Sequence, residues 1–305
     1  MQLALDPIEL EHSKRNPEVI RTVAMAHSPV SLAPFSPASF SLAPFSLEGK
    51  TVIVTGGGIG IGKSISIECA RAGADVMLCS RRMEHLEATA DEVRGLGKRA
   101  LPLTVDVRDP EQVNAVVQRT VEEFGKIDVL VNNHGASFRA PVEKMSLNGW
   151  NAVVSINLNG VFLLSQAVGK HMIERQQGGV IVNISSMAGV RGSTMMAHYA
   201  ASKAAVINFT HTLALAWAKH RIRVNCIAPG PIETEGYLEV LHQTNPNPEE
   251  VYQKTASRVA MGRWGRVEEI AYPTIFLASE ASSFMTGTTI YVDGGGMPSP
   301  ETDVD

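Results

Sequence analysis

The sequence predicts an α/β fold: one main domain with about seven parallel strands, doubly wound by helices on both faces. Three observations predict it. Short apolar, β-branched runs alternate with longer helical stretches from Leu47 onward. The runs are almost continuously apolar, as strands buried on both faces are. The first run breaks on a glycine-rich turn, Thr55-Gly56-Gly57-Gly58-Ile59-Gly60-Ile61-Gly62, that opens a helix. Strands that alternate with helices imply right-handed crossovers, hence a Rossmann-type parallel sheet.

Each element follows in order. Thr51–Thr55 reads as the first strand, and the helix after the glycines runs to about Ala72, where Gly73 stops it. Val76–Cys79 is the second strand and Glu84–Leu96 the next helix. Ala100–Val105, Ile127–Val131, Val180–Ile184, Arg223–Ile227 and Thr289–Val292 read as the remaining strands. Pro110–Phe124, Trp150–Arg175, His198–Lys219 and Val267–Ala278 are the helices between them. Ligands in such folds bind beyond the carboxyl ends of the strands, so functional residues should follow the strands directly.

The domain spans 47–296, with a tail at 297–305. Residues 1–46 differ in composition. A polar start gives way to Ser, Pro, Ala and Phe, and Ser31-Leu32-Ala33-Pro34-Phe35-Ser36 returns as Ser41-Leu42-Ala43-Pro44-Phe45-Ser46. This reads as a flexible or surface-docked extension; a sharper alternative docks Phe35, Phe40 and Phe45 on a neighbouring subunit. It has neither the basic start and apolar stretch of a secretory signal nor the scarcity of acids of a mitochondrial presequence.

Composition narrows the function. With 27 basic and 31 acidic residues the net charge is −4, which gives no footprint for nucleic acid or an anionic membrane surface. No apolar run approaches the roughly 18 consecutive residues of a membrane span. Cys69, Cys79 and Cys226 are too scattered for a disulfide framework or a zinc cluster, and they suit a reducing, cytoplasmic setting.

The glycine turn has two readings. Glycines let the backbone approach a pyrophosphate, which the following helix amino terminus stabilises. The same letters, Gly57 with Gly62-Lys63-Ser64, satisfy the phosphate loop of a nucleotide triphosphatase. That rival needs a second strand ending in an acid to help hold magnesium. Ile127–Val131 ends in Asn132-Asn133, whereas Asp106 does follow a strand. What weakens the rival is the chemistry downstream. About 20 residues after the glycines the second strand ends in Ser80-Arg81-Arg82. An acid there would favour NAD; a serine followed by a guanidinium favours the 2′-phosphate of NADP.

Tyr199 and Lys203 stand four residues apart, on one face of a helix. A nearby ammonium favours the phenolate and lowers a tyrosine pKa toward the range where it exchanges protons. Ser186 lies thirteen residues earlier, directly after the fifth strand. Asn157, Asn132-Asn133-His134-Gly135 and Pro229-Gly230-Pro231-Ile232-Glu233-Thr234 complete the constellation.

Taken jointly, T-G-x-x-x-G-I-G at Thr55–Gly62, Asp106, N-N-x-G at Asn132–Gly135, Ser186, Y-x-x-x-K and the P-G loop ending in Thr234 resemble the short-chain dehydrogenase/reductase family over residues 47–296. His134, where the family usually has alanine, and Ile59, where a small or polar residue is common, depart from its pattern. The resemblance implies Tyr199 as general acid/base, Ser186 on the substrate oxygen, Lys203 on the nicotinamide ribose, and Asn157 ordering a relay water. It implies an NADP(H) cleft, with NAD(H) as alternative, that starts at Gly56, Gly58, Gly60 and Ile61 and continues through Ser80, Arg81 and Arg82. Asp106 with Val107 would meet the adenine, Asn133 and Gly135 the adenosine-side ribose. Pro229, Gly230, Ile232 and Thr234 would meet the nicotinamide. No metal is implied.

The resemblance implies that segment 235–265 covers the substrate, with Tyr237, Leu238, Val240, Leu241, Met261, Met187, Met195 and Met196 as candidate lining. Within the family the chain is similar both to β-ketoacyl carrier-protein reductases and to 2,4-dienoyl-CoA reductases. The retained Tyr199 favours carbonyl and alcohol chemistry, and an acyl thioester stays open as substrate. Val153, Val154, Phe162, Leu163, Phe209, Leu213 and Trp217 give two helices apolar surface on more than one face, and the resemblance implies that these helices pack against partner subunits, as in a homotetramer.

Overall fold

The computed structural model describes residues 41–295. Seven parallel strands form one sheet in the order β3-β2-β1-β4-β5-β6-β7. They are β1 (Thr51–Thr55), β2 (Asp75–Ser80), β3 (Ala100–Thr104), β4 (Val129–Asn132), β5 (Gly179–Ile184), β6 (Ile222–Pro229) and β7 (Thr289–Val292). The order reverses between β1 and β4, and there the carboxyl ends of the strands open a crevice for a ligand.

Alternation along the strands divides the core in two. Val52, Val54, Val76 and Leu78 face α1 (Gly60–Arg71), α2 (Met83–Gly95) and α10 (Glu268–Ala278), packing with Ile65, Leu86 and Ile270. Ile53, Met77, Leu130 and Ile181 face the other way. They pack with Val116 of α3 (Pro110–Phe124), Leu164 of α5 (Gly160–Arg175) and Leu213 of α7 (Ala197–Trp217). Between α5 and α7 runs a fully buried polar ladder. Asn132 Nδ2 donates to Ser165 Oγ (3.0 Å) and to Asn183 Oδ1 (2.9 Å), and Asn183 Nδ2 donates to Thr210 Oγ1 (2.9 Å). At the opposite end of the sheet Asp128 accepts from the Thr51 N–H (2.9 Å) and is ion-paired with Arg175 (2.9 Å) and Lys126 (3.0 Å).

The helix expected as one piece over Trp150–Arg175 differs. α4 (Leu147–Val154) leads through a π-helical turn, Ser155–Asn159, into α5. The turn swings Asn157 inward, fully buried, where its amide closes on one residue: Oδ1 accepts from the Ala136 N–H (2.8 Å) and Nδ2 donates to the Ala136 C=O (3.0 Å). Side-chain pairing with a distant loop rewards the extra residue in the turn, and such π-bulges recur at functional sites. The continuous run Leu147–Arg175 has a mean hydropathy of 1.5 over its best window, so by length and composition alone it is long and apolar enough to cross a membrane. Here it packs on the sheet through Val161, Leu164, Val168 and Met172.

Segment 235–265 forms α8 (Glu235–Thr244) and α9 (Pro248–Ser257), separated at Pro246, with Pro248 opening α9. Both fold onto Trp264, whose ring lies 4.9 Å from Tyr237 and 5.3 Å from Tyr252. A short helix α6 (Ala188–Arg191) follows β5. Ahead of β1, Ala43–Phe45 form a turn, and the Phe45 ring rests 6.2 Å from Phe276 of α10. Phe45 therefore lies against its own domain. Phe35, Phe40, the first copy of the repeat and the tail at 297–305 fall outside the described residues. On the helices expected at subunit contacts, Val153 and Leu213 are buried. Phe162 is exposed and meets Phe209 at 6.2 Å, and Leu215 is largely exposed.

Candidate active site

The site assembles at the crevice from segments that each leave a strand. After β1, Gly56 and Gly60 take left-handed φ values of 65° and 54°, which glycine adopts without strain. Helix α1 then begins with no side-chain cap at Ile59. Its first N–H groups and the helix dipole thus form a ready anion site lined by backbone. Gly58 packs against His85 of α2, while Ile61 is half-buried against the core. Across the crevice a Cβ on Gly60 would lie 3.3 Å from Thr234, so the glycine turn and the loop after β6 face each other. Lys63, which a triphosphate site would turn onto phosphates, is ion-paired with Glu92 of α2 at 2.8 Å.

At the end of β2, Ser80 is half-buried and Arg81 and Arg82 are exposed. Arg81 lies near enough to Asp106 to help hold its carboxyl low, at about 2, although the main cause is the Arg108 hydrogen bond. Arg108 Nε donates to Asp106 Oδ1 at 2.9 Å. Nothing in the sequence reading singled out Arg108; a guanidinium two residues beyond the acid was its signal. Val107 is buried against Gly160.

After β4, Thr55 Oγ1 accepts from the N–H groups of Asn133 (2.9 Å) and His134 (3.1 Å), and Asn133 Nδ2 donates to the Thr55 C=O (3.0 Å). Asn133 thus braces the glycine turn directly. The His134 ring is buried, with Nδ1 2.8 Å from Thr55 Oγ1. Burial, with the charge of Lys203, pushes its imidazole down to about 3, so it is neutral.

The four expected catalytic residues converge. Lys203 is buried on α7, and its Nζ donates to the Ile184 C=O at 2.7 Å and lies 5.8 Å from the Tyr199 ring centroid. Burial lowers its pKa to about 8. A Cβ on Gly135 would stand 3.5 Å from Nζ and 3.6 Å from Asn157 Oδ1, so the loop passes directly over the ammonium. Ser186 hydrogen-bonds the Tyr199 hydroxyl and accepts from the Ala188 N–H at 3.2 Å. Its neighbour Ser185 is buried and donates to the Lys203 C=O at 2.8 Å, a packing role. Asn157 also donates to Ser202 Oγ at 3.1 Å.

One expectation is corrected. The Tyr199 phenol is raised, not lowered, because burial outweighs the Ser186 hydrogen bond that favours its ionised form. His198, assigned no role from sequence, is fully buried and accepts the Tyr199 N–H on Nδ1 at 2.7 Å, which fixes the start of α7.

The loop after β6 is equally tied. The Pro229 C=O accepts from the Met187 N–H (2.9 Å), Gly230 N–H donates to Val292 (2.9 Å), and Ile232 pairs with Gly265. Thr234 caps α8 by accepting from the Tyr237 N–H at 3.2 Å. Of the candidate lining, Leu241 is buried, while Tyr237, Val240 and Met261 are exposed.

A backbone anion cradle at a topological switch point, beside a Tyr–Lys–Ser–Asn cluster whose Lys203 and Asn157 are buried and whose Tyr199 and Ser186 are half-buried, fits a dinucleotide-dependent oxidoreductase. Comparison with known proteins agrees. The family model described as enoyl-(acyl carrier protein) reductase matches residues 57–296. A 3-oxoacyl-acyl-carrier-protein reductase of Thermotoga maritima is 41% identical over 249 residues, covering 82% of this chain and 98% of the relative. A Bacillus subtilis protein assigned as a 2,4-dienoyl-CoA reductase is 39% identical over 250 residues, covering 82% and 97%. Among solved structures, a protein of Beutenbergia cavernae assigned as an NAD(P)-dependent gluconate 5-dehydrogenase, with NADP bound at low occupancy, superposes with a TM-score of 0.76. It is 38% identical and covers 83% of this chain and 98% of its own. The chain belongs to the short-chain dehydrogenase/reductase family, enzymes that interconvert CH–OH and C=O with NAD(P).

Proposed function

We propose that the protein is an NADP(H)-dependent oxidoreductase that interconverts a carbonyl and an alcohol, with Tyr199 as the general acid/base. The observation that carries this is the pairing of a buried ammonium, Lys203, with a phenol that already hydrogen-bonds Ser186. When bound, the cofactor supplies or takes the hydride. In reduction, Ser186 Oγ holds the carbonyl oxygen and Tyr199 gives it the proton. Lys203 has one N–H on the Ile184 C=O, and an ammonium has three donors. The others serve the ribose and favour the ionised phenol in the return direction. Asn157, fixed by Ala136, holds the π-turn beside Lys203 and orders the relay water.

The glycine turn and the uncapped start of α1 would hold the pyrophosphate. Ser80 with Arg81 and Arg82 would read the adenosine 2′-phosphate, and an exposed guanidinium where an acid would repel a phosphate supports NADP over NAD. Asp106 and Val107 would meet the adenine, Gly135 the adjoining ribose, and Pro229 to Thr234 the nicotinamide. The exposed Phe162 and Leu215 support a homotetramer, and the buried free thiols suit a cytoplasmic setting.

Tyr199→Phe tests the reading. It should leave NADPH binding intact and lower turnover of a carbonyl substrate by about 10²–10⁴-fold. Lys203→Met should lower turnover and weaken cofactor binding together. If Tyr199→Phe keeps most of its activity, the assignment fails, and enoyl-thioester reduction becomes the better reading. The likeness to the dienoyl-CoA reductase favours that alternative.

A further inference from the structure

The segment after β4 holds a charged group that the chemistry above does not use. From Gly135 to Ala140 the chain crosses the same end of the sheet as Tyr199, and it is fixed at three points. Asn157 grips Ala136. The Phe138 ring sits edge-on to His198, 4.2 Å between centroids at 83°. The Ala140 N–H donates to the Met195 C=O at 2.9 Å. His198 directly precedes Tyr199, and Met195 opens the same approach to α7. Arg139 lies between the last two anchors, so its backbone is clamped at the rim of the Tyr199 site.

Its side chain is exposed. Arg191 and Arg263 are ion-paired with Asp293 and Glu269. Among the described residues no carboxylate pairs with Arg139. Tyr237 of α8 lies close enough for the Arg139 charge to favour its ionised form, against the larger effect of burial. The charge of Arg139 thus reaches Tyr237 of α8, and Phe138 and Tyr237 are both partly exposed.

We propose that Arg139 is the substrate anchor of this site and that it takes a carboxylate, so the substrate is a keto or hydroxy acid. The proposal rests on the carbonyl–alcohol reading above. A single guanidinium fork matches one carboxylate in bidentate fashion. Holding the acid end at the rim decides which carbonyl reaches Tyr199. The same fork would take a phosphate on a carrier arm, and the test separates the two.

The probes are 5-keto-D-gluconate against its methyl ester, and acetoacetyl-CoA against acetoacetyl-N-acetylcysteamine, each with NADPH. Wild type should prefer the keto acid over its ester by tenfold or more in kcat/KM, and the two thioesters should differ little. Arg139→Gln should abolish the preference by raising KM for the acid with kcat nearly unchanged, and Arg139→Lys should restore part of it. Added salt should erode the wild-type preference, because the group is exposed. The proposal is overturned if the preference survives in Arg139→Gln, or if wild type shows none, including the case in which it reduces neither member of the pair. It is also overturned if Arg139→Gln instead removes a preference for acetoacetyl-CoA over its truncated analogue, which would make the anchored group a phosphate. The rise in melting temperature with NADPH reports the oxidoreductase reading alone. It should be equal in wild type and Arg139→Gln, and its absence in both would overturn that reading instead.

Discussion

Replacing His134 by alanine should flatten the acid limb of the stability curve. The ring is 8% exposed, beside Thr55 and within the field of Lys203, and its pKa is pushed down to about 3. An unfolded histidine titrates near 6.5. Between these values the unfolded chain binds a proton that the folded chain refuses, so stability is full above about 6.5 and falls with pH. At pH 5, about 1.5 units below the unfolded value, the loss is about 2 kcal/mol at roughly 1.4 kcal/mol per unit. For a domain of this size that is about 4–8 °C in melting temperature. His198 and His171 are also pushed down by burial, so some slope remains in the variant. The assay is thermal melting of wild type and His134→Ala from pH 8 to pH 5. The variant starts lower, because it loses the Thr55 contact, but its curve should fall less steeply. Two parallel curves would refute the reasoning, since the offset alone reports packing.

Ser80→Asp with Arg81→Ala should weaken NADPH about tenfold or more while sparing NADH, read by titration, and equal losses would reduce Arg81 to a fold support. Gly62→Ala would place a methyl group on the Gly56 carbonyl oxygen and against Asn133. The NADPH-induced rise in melting temperature should disappear in this variant, and a retained rise would show that the turn can relax. Asp128→Ala strips the Thr51 N–H, Arg175 and Lys126 of their shared partner. Breaking such a largely buried pair should cost about 3–5 kcal/mol in urea unfolding without touching the site, and a cost below about 1 kcal/mol would contradict the burial argument.

The strands were legible because parallel strands buried on both faces are nearly continuously apolar, as Val76–Cys79 is throughout and Val180–Ile184 is but for Asn183. Tyr199 and Lys203 were legible because their four-residue spacing puts them on one face of α7, whereas Ser186 and Asn157 were legible only through the resemblance to the family's motifs. The π-turn was not, since it depends on the fit of Asn157 to Ala136, a partner remote in sequence. The direction of the Tyr199 shift was also hidden. It is decided by how much solvent the fold removes, which residue spacing does not encode. Arg139 escaped notice because an exposed arginine in a loop looks ordinary until His198 and Met195 are seen to clamp its neighbours.

The buried amide ladder has a consequence for how the strands find one another. Asn132 and Asn183 are directly opposed in the β4–β5 pairing. Sliding one strand by a single residue would turn its whole side-chain set to the other face. The amide pair and the hydroxyls of Ser165 and Thr210 would then be left in an apolar interior, each at a cost of about 1–3 kcal/mol. An all-apolar pair of strands would offer several alignments of nearly equal energy; these four polar groups leave one. Asn133 and Ser186 hang just past the ends of those strands, so the same ladder that makes the alignment discrete also sets the spacing between the loop that braces the glycine turn and the hydroxyl beside Tyr199.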